Sequence, residues 1–243
     1  MSIRKAASYL FALSLVASSV AYRAPSTQRK FTKVLTSAKL QYPDSGLAAT
    51  SEELLDGFAT SYFHLTRDLY MAFEVAGPSN RSELREMETD GEKTAWDCTG
   101  STKHVATSTM ALPIQEEGIE EVTMMQIHDT LTSPALRISW VRNITIDGVN
   151  SQNVIISTIR LGLESDSATN KTVLLPHTLR PVDYSIMAQD GEVTVKVNGV
   201  TKLDRTSIAP YAGSTCYFKA GAYNNNPTID EAFARNKFYR LEW

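Results

Sequence analysis

Arg81-Ser82-Glu83-Leu84-Arg85-Glu86-Met87 places charged residues of both signs at alternating positions. Read as a strand, whose side chains alternate between faces, it sets Arg81, Glu83 and Arg85 on one side and Ser82, Leu84 and Glu86 on the other. Two guanidinium groups with a carboxylate between them make a cationic ridge that can grip an anion. Arginine suits that task because its planar fork binds a carboxylate bidentately and keeps its charge at any working pH. Taken alone, the run serves equally well as a solvated strand edge with an internal ion pair.

Two later stretches tip the balance toward a ligand groove. In Gln126-Ile127-His128 the polar residues share a face and Ile127 takes the other. In Tyr217-Phe218-Lys219-Ala220-Gly221-Ala222-Tyr223 the residues Tyr217, Lys219 and Tyr223 share a face, opposite Phe218, Ala220 and Ala222. Three strands that are reactive on one side and apolar on the other describe a sheet with a core behind it and a groove in front. These blocks resemble the alginate lyases of polysaccharide lyase family 7. Their signatures are Arg-(Ser/Thr)-Glu-(Leu/Val)-Arg, Gln-(Ile/Val)-His and Tyr-Phe-Lys-Ala-Gly-x-Tyr-x-Gln, and all three stand here in the family's order. One position departs. Asn225 occupies the place of the final glutamine, keeping the amide with a shorter reach.

The resemblance implies a jelly-roll β-sandwich with the groove on its concave sheet, extending over about Phe31 to Trp243. It also implies β-elimination at a 4-linked uronate. The proton on carbon 5 is barely acidic while the neighbouring carboxylate is charged, so that charge must be neutralised; Arg81 and Gln126 are implied for the task. His128, with an ordinary pKa of about 6.5, is the implied base. Tyr223 donates to the leaving oxygen, and cationic neighbours such as Lys219 would lower its normal pKa of about 10 and make it a base too. Glu83 and Arg85 are expected to orient Arg81 and bind flanking sugars, with Tyr217, Lys219 and Asn225 as further substrate contacts. Ile127 is the variant associated with guluronate-containing substrates. A lyase for another polyuronate such as glucuronan, or a non-catalytic glycan-binding sandwich, are the competing readings.

The elements that must position these residues are legible as short β-rich runs punctuated by turns. Leu69 to Val75 is followed by Gly77-Pro78-Ser79-Asn80 and then the arginine strand. Leu136 to Val141, Asn153 to Leu161 and Tyr184 to Met187 continue the pattern, and Val193, Val195 and Val197 alternate between the turns Asp190-Gly191 and Asn198-Gly199. Many short strands with almost no helical periodicity predict an all-β antiparallel sandwich. Thr50-Ser51-Glu52-Glu53 has the form of a capping box opening a short helix that stops at Gly57, expected as the one helix of note.

At the amino end, Arg4 and Lys5, the apolar run Tyr9 to Val16 and the small-residue pattern Ser19-Val20-Ala21 read as a secretory signal peptide over residues 1–21. Residues 22–30, polar and carrying Pro25, read as a spacer, and residues 31–243 as a single domain. The formal charge of −3 becomes −5 once the two leader cations are set aside, so an anion binder must gather its cations locally. That balance, with no basic patch interleaved with aromatics, excludes nucleic acid as a partner, and no stretch is apolar for long enough to span a membrane. A secreted monomer acting on an acidic polysaccharide is expected. Cys98 and Cys216 are a disulfide candidate in an oxidising compartment, with two buried thiols as the alternative. Two cysteines and four scattered histidines offer no metal-ligand spacing, and no cofactor is expected. Asn80, Asn143 and Asn170 open Asn-x-Ser/Thr triplets.

Overall fold

The computed structural model describes residues 21–88, 92–130, 133–164 and 166–243, so the expected leader lies almost wholly outside the described residues. Its helices are α1 (Arg29–Thr36) and α2 (Ser51–Leu55). The strands of the first half are β1 (Ala38–Gln41), β2 (Leu47–Ala49), β3 (Phe63–Leu65), β4 (Met71–Ala76), β5 (Arg81–Glu86), β6 (Trp96–Asp97), β7 (His104–Ala111) and β8 (Glu121–Asp129). Those of the second half are β9 (Pro134–Ile146), β10 (Val149–Arg160), β11 (Thr169–Pro176), β12 (Val182–Gln189), β13 (Glu192–Val197), β14 (Val200–Ser207), β15 (Thr215–Asn224) and β16 (Phe233–Glu242).

Two antiparallel sheets stack as a sandwich. One runs β11-β10-β9-β8-β15-β5-β1-β2, with β6 attached to the start of β15; the other runs β14-β13-β12-β7-β16-β4-β3. Alternation along each strand sends one set of side chains into the space between the sheets. Leu84, Ile127, Phe218, Ala220 and Ala222 enter it from the first sheet, and Phe73, Ala106, Ile186, Val195 and Phe238 from the second. Phe73 meets Phe63 at 5.3 Å and Phe238 edge-on at 5.6 Å, the geometry that aromatic quadrupoles favour.

The turns follow local chemistry. Asp190-Gly191 and Asn198-Gly199 each hold two successive positive φ angles, as a two-residue hairpin turn demands, and Asp147-Gly148 does the same between β9 and β10. The capping box forms as expected: the side chain of Thr50 accepts from the Glu53 amide, and the Glu53 carboxylate accepts from the Thr50 amide. Residues 22–30, read as a short spacer, are held against the domain. Arg23 bridges to Leu65, Pro25 is buried, and α1 begins at Arg29. Phe31, Val34 and Leu35 bury one stripe of α1, the i, i+3, i+4 spacing of an amphipathic helix. Among the sequon asparagines, Asn143 and Asn170 are exposed, whereas the Asn80 amide is tied to the carbonyl of Ala76.

Candidate active site

Strand β15 lies between β5 and β8, so the three motif blocks sit side by side although they are far apart in the chain. Tyr223 faces Arg81, Gly221 faces Glu83 and Lys219 faces Arg85 on one flank. On the other flank Lys219 faces Gln126 and Tyr217 faces His128. All nine expected site residues thus fall on or beside these strands. A slip of register between β8 and β15 at Ala220–Tyr223 sets Thr123, rather than Val122, opposite Tyr223. Both Met124 and Met125 are packed in the core as a result.

The floor of the groove is organised by Glu83, which is fully buried. Its Oε1 accepts from the Gln126 amide at 2.5 Å, and its Oε2 accepts from the Lys219 ammonium at 2.6 Å, with the Arg81 guanidinium at 3.5 Å. Burial pushes the carboxyl up, but Lys219, Arg81 and the hydrogen bonds outweigh it and hold Glu83 below its ordinary value. Burial pulls Lys219 down to about 8 against the opposing Glu83 carboxylate. Glu83, expected to orient Arg81 and bind flanking sugars, and Lys219, expected as a substrate contact, are paired with one another. Each satisfies the other beneath the surface, because an isolated buried charge would cost far more than a paired one. Arg85 is only 5% exposed. It donates to the carbonyl of Glu86 and stands 3.8 Å from the centre of the Tyr217 ring.

Arg81, His128, Tyr217 and Tyr223 face the groove, each partly exposed. Nδ1 of His128 lies 2.6 Å from the carbonyl oxygen of Asp129. A carbonyl can only accept, so Nδ1 carries the proton and Nε2 keeps the lone pair. Burial, reinforced by Lys219, pulls the imidazole down to about 4. The ring stacks on Tyr217, with centroids 5.5 Å apart. Burial raises the phenol of Tyr217 above its ordinary value, so it remains a neutral hydroxyl. The cation beside Tyr223 is Arg81, 4.4 Å from the ring centre, with Arg137 at 5.8 Å; the ammonium of Lys219 is engaged by Glu83. Asn225 is held within the protein: its oxygen accepts from Thr123 and its nitrogen donates to Glu121.

Arg137 and Thr123 are additions that motif reading missed. Arg137 pairs with Gln126 across β8 and β9, and a single arginine inside an apolar run carries no local signal of a groove. Gly221 has a legible reason: a Cβ there would overlap the carbonyl oxygen of Ser82 and stand 2.6 Å from Cα of Glu83. Only glycine lets β5 approach β15 closely enough for the hub to form. Behind it Asn236 of β16, itself buried, donates to the carbonyl of Gly221 at 2.9 Å and ties the two sheets beneath the site. Cys98 and Cys216 form a disulfide, anchoring the start of β15 one residue before Tyr217. Closing a loop of 118 residues stabilises by roughly 4–5 kcal/mol in the chain-entropy picture.

Comparison with known proteins defines the class. The alginate lyase family matches residues 35–243 of this chain. No curated relative matches it. Among solved structures, alginate lyase AlgAT5 from polysaccharide lyase family 7 is 26% identical, with a TM-score of 0.71 over 90% of this chain and 97% of that one. Alginate lyase A1-II', a member of the same family, is 23% identical, with a TM-score of 0.73 over 90% and 97%. Alginate lyase AlyC3 in complex with dimannuronate is 16% identical, with a TM-score of 0.76 over 91% and 94%. The sandwich is therefore a jelly roll, and the protein is a polysaccharide lyase. It belongs to the alginate lyases of family 7.

Proposed function

We propose that this alginate lyase cleaves by β-elimination at the 4-linked uronate, leaving an unsaturated sugar end, and that it accepts guluronate-containing blocks. The observation that carries the reading is the convergence of Arg81, Gln126, His128 and Tyr223 on one face of three adjacent strands, around a buried Glu83. Arg81 holds the substrate carboxylate with the donors that Glu83 does not engage, and Gln126 adds the second N–H of its amide. Together they stabilise the charge that spreads onto the carboxylate as the carbon 5 proton leaves. Nε2 of His128 takes that proton from guluronate, and the Tyr223 hydroxyl protonates the leaving oxygen. In mannuronate the proton and the leaving oxygen lie on the same side of the ring, so Tyr223 serves both steps in turn. Ile127 and the His128–Tyr223 pair support the guluronate assignment.

The test is incubation with alginate, polymannuronate, polyguluronate and glucuronan while the ultraviolet absorbance of the unsaturated product is followed. Tyr223→Phe is expected to abolish cleavage of every block type. His128→Ala is expected to reduce guluronate cleavage further than mannuronate cleavage, roughly 10²–10⁴-fold for loss of a general base. Equal residual rates on the two homopolymers would assign His128 to binding instead. Because Arg81 and Gln126 neutralise the carboxylate, activity is expected to survive a chelator. Export through the leader is part of the same proposal; the Cys98–Cys216 bridge supports it, since such bonds persist in oxidising compartments.

A further inference from the structure

The cations of the groove do not stop at the three motif strands. Register carries one row across the whole sheet: Lys39 pairs with Arg85, Arg85 with Lys219, Lys219 with Gln126, Gln126 with Arg137, Arg137 with Thr158 and Thr158 with Lys171. Directly paired residues share a face, so these side chains line one path running perpendicular to the strands. Arg160 lies two positions beyond Thr158 and returns to the same face. At the β9–β11 end, Arg137, Arg160 and Lys171 surround a cavity of about 130 Å³ together with Thr158 and Glu121. Glu121 accepts a hydrogen bond from Asn225. Nε of Arg137 is buried and meets no hydrogen-bond partner among the described residues.

Three cations around one polar hollow form an anion site, and they stand on strands that follow β8 one by one. Neighbouring strands lie roughly 4.8 Å apart, close to the advance per sugar of a 4-linked pyranoside chain. Lys219 and Arg85 are buried in the middle of the row, but Arg137 and Arg160 are partly exposed and Lys171 is exposed at its β9–β11 end, so a polyuronate crossing the strands brings its flanking carboxylates past them. We propose that Arg137, Arg160 and Lys171 form a second carboxylate-binding region, which holds the uronates flanking the cleavage point on the β9–β11 side. It rests on the lyase reading above for the path of the chain, and it makes the enzyme's grip depend on polymer length.

Binding is measured in a Tyr223→Phe background, so that the polymer is not consumed, by calorimetric titration with polyguluronate, polymannuronate and a uronate disaccharide. Adding Arg160→Gln and Lys171→Gln is expected to weaken polymer binding roughly threefold to tenfold, the scale of two exposed ion pairs, and to flatten its dependence on salt. Disaccharide binding is expected to stay unchanged. Lys171→Gln alone, at an exposed position, repeats the test without risk to the backbone carbonyl of Glu164 that Arg160 supports. Unchanged polymer affinity, or an equal loss for polymer and disaccharide, would overturn the proposal. Failure of the lyase reading shows separately, as wild-type protein yielding no unsaturated product from any of the polymers.

Discussion

The ammonium of Lys219 stands 2.6 Å from Oε2 of Glu83, and both side chains are buried beneath the groove that the motif strands form. A pair so placed cannot lose one member cheaply. Glu83→Gln leaves the Lys219 charge buried without its counter-ion, and is expected to cost roughly 3–5 kcal/mol in denaturant unfolding. Adding Lys219→Met removes the stranded charge and should restore part of the loss. A single variant as stable as the parent would show that the pair contributes nothing.

Arg81 tests the groove from the other side. Its contact with Glu83 is long, at 3.5 Å, so most of its donors remain for a substrate carboxylate. Arg81→Lys keeps the charge but loses the fork, and turnover should fall severely while the folded state persists. Near-normal turnover in steady-state kinetics would remove Arg81 from the neutralising role.

The pH profile follows from His128. Only the neutral ring can accept a proton, and the folded ring stays neutral down to about pH 4. The acid limb for guluronate cleavage should therefore fall near 4 rather than near 6.5. Stability moves with the same group: the unfolded imidazole takes up a proton below about 6.5 and the folded one does not. His128 accordingly costs stability as pH falls from 6.5 toward 4, and this part of the slope should vanish in His128→Ala. On the alkaline side, activity should decline through about 8 as Lys219 loses its proton and Glu83 its counter-ion. An acid limb remaining at 6.5 would contradict the buried-base geometry.

Gly221→Ala should separate β5 from β15, since the new methyl would overlap the Ser82 carbonyl oxygen. Loss of activity together with a stability loss of roughly 1–3 kcal/mol from overpacking is expected. A fully active Gly221→Ala would mean that the hub tolerates displacement of Glu83.

Period-two alternation is a local property of a chain, and the sequence alone therefore determined which residues of β5, β8 and β15 share the reactive face and which enter the core. Ile127, Phe218, Ala220 and Ala222 are all buried as their positions imply. The Asp-Gly and Asn-Gly turns and the Thr50 capping box were legible for the same reason, since each depends on residues within a few positions of one another. Helix α1 was not, because its apolar stripe is only Phe31, Val34 and Leu35 and basic residues surround it; docking onto the sandwich stabilises what eight residues alone could not. Which strands become neighbours is decided across the whole chain. Only the tertiary structure placed β15 between β5 and β8, made Glu83 a buried hub, and brought Arg137 beside Tyr223. Whether a polar side chain on the groove face meets solvent or a counter-ion depends on the strands beside it, and nothing within its own strand encodes them.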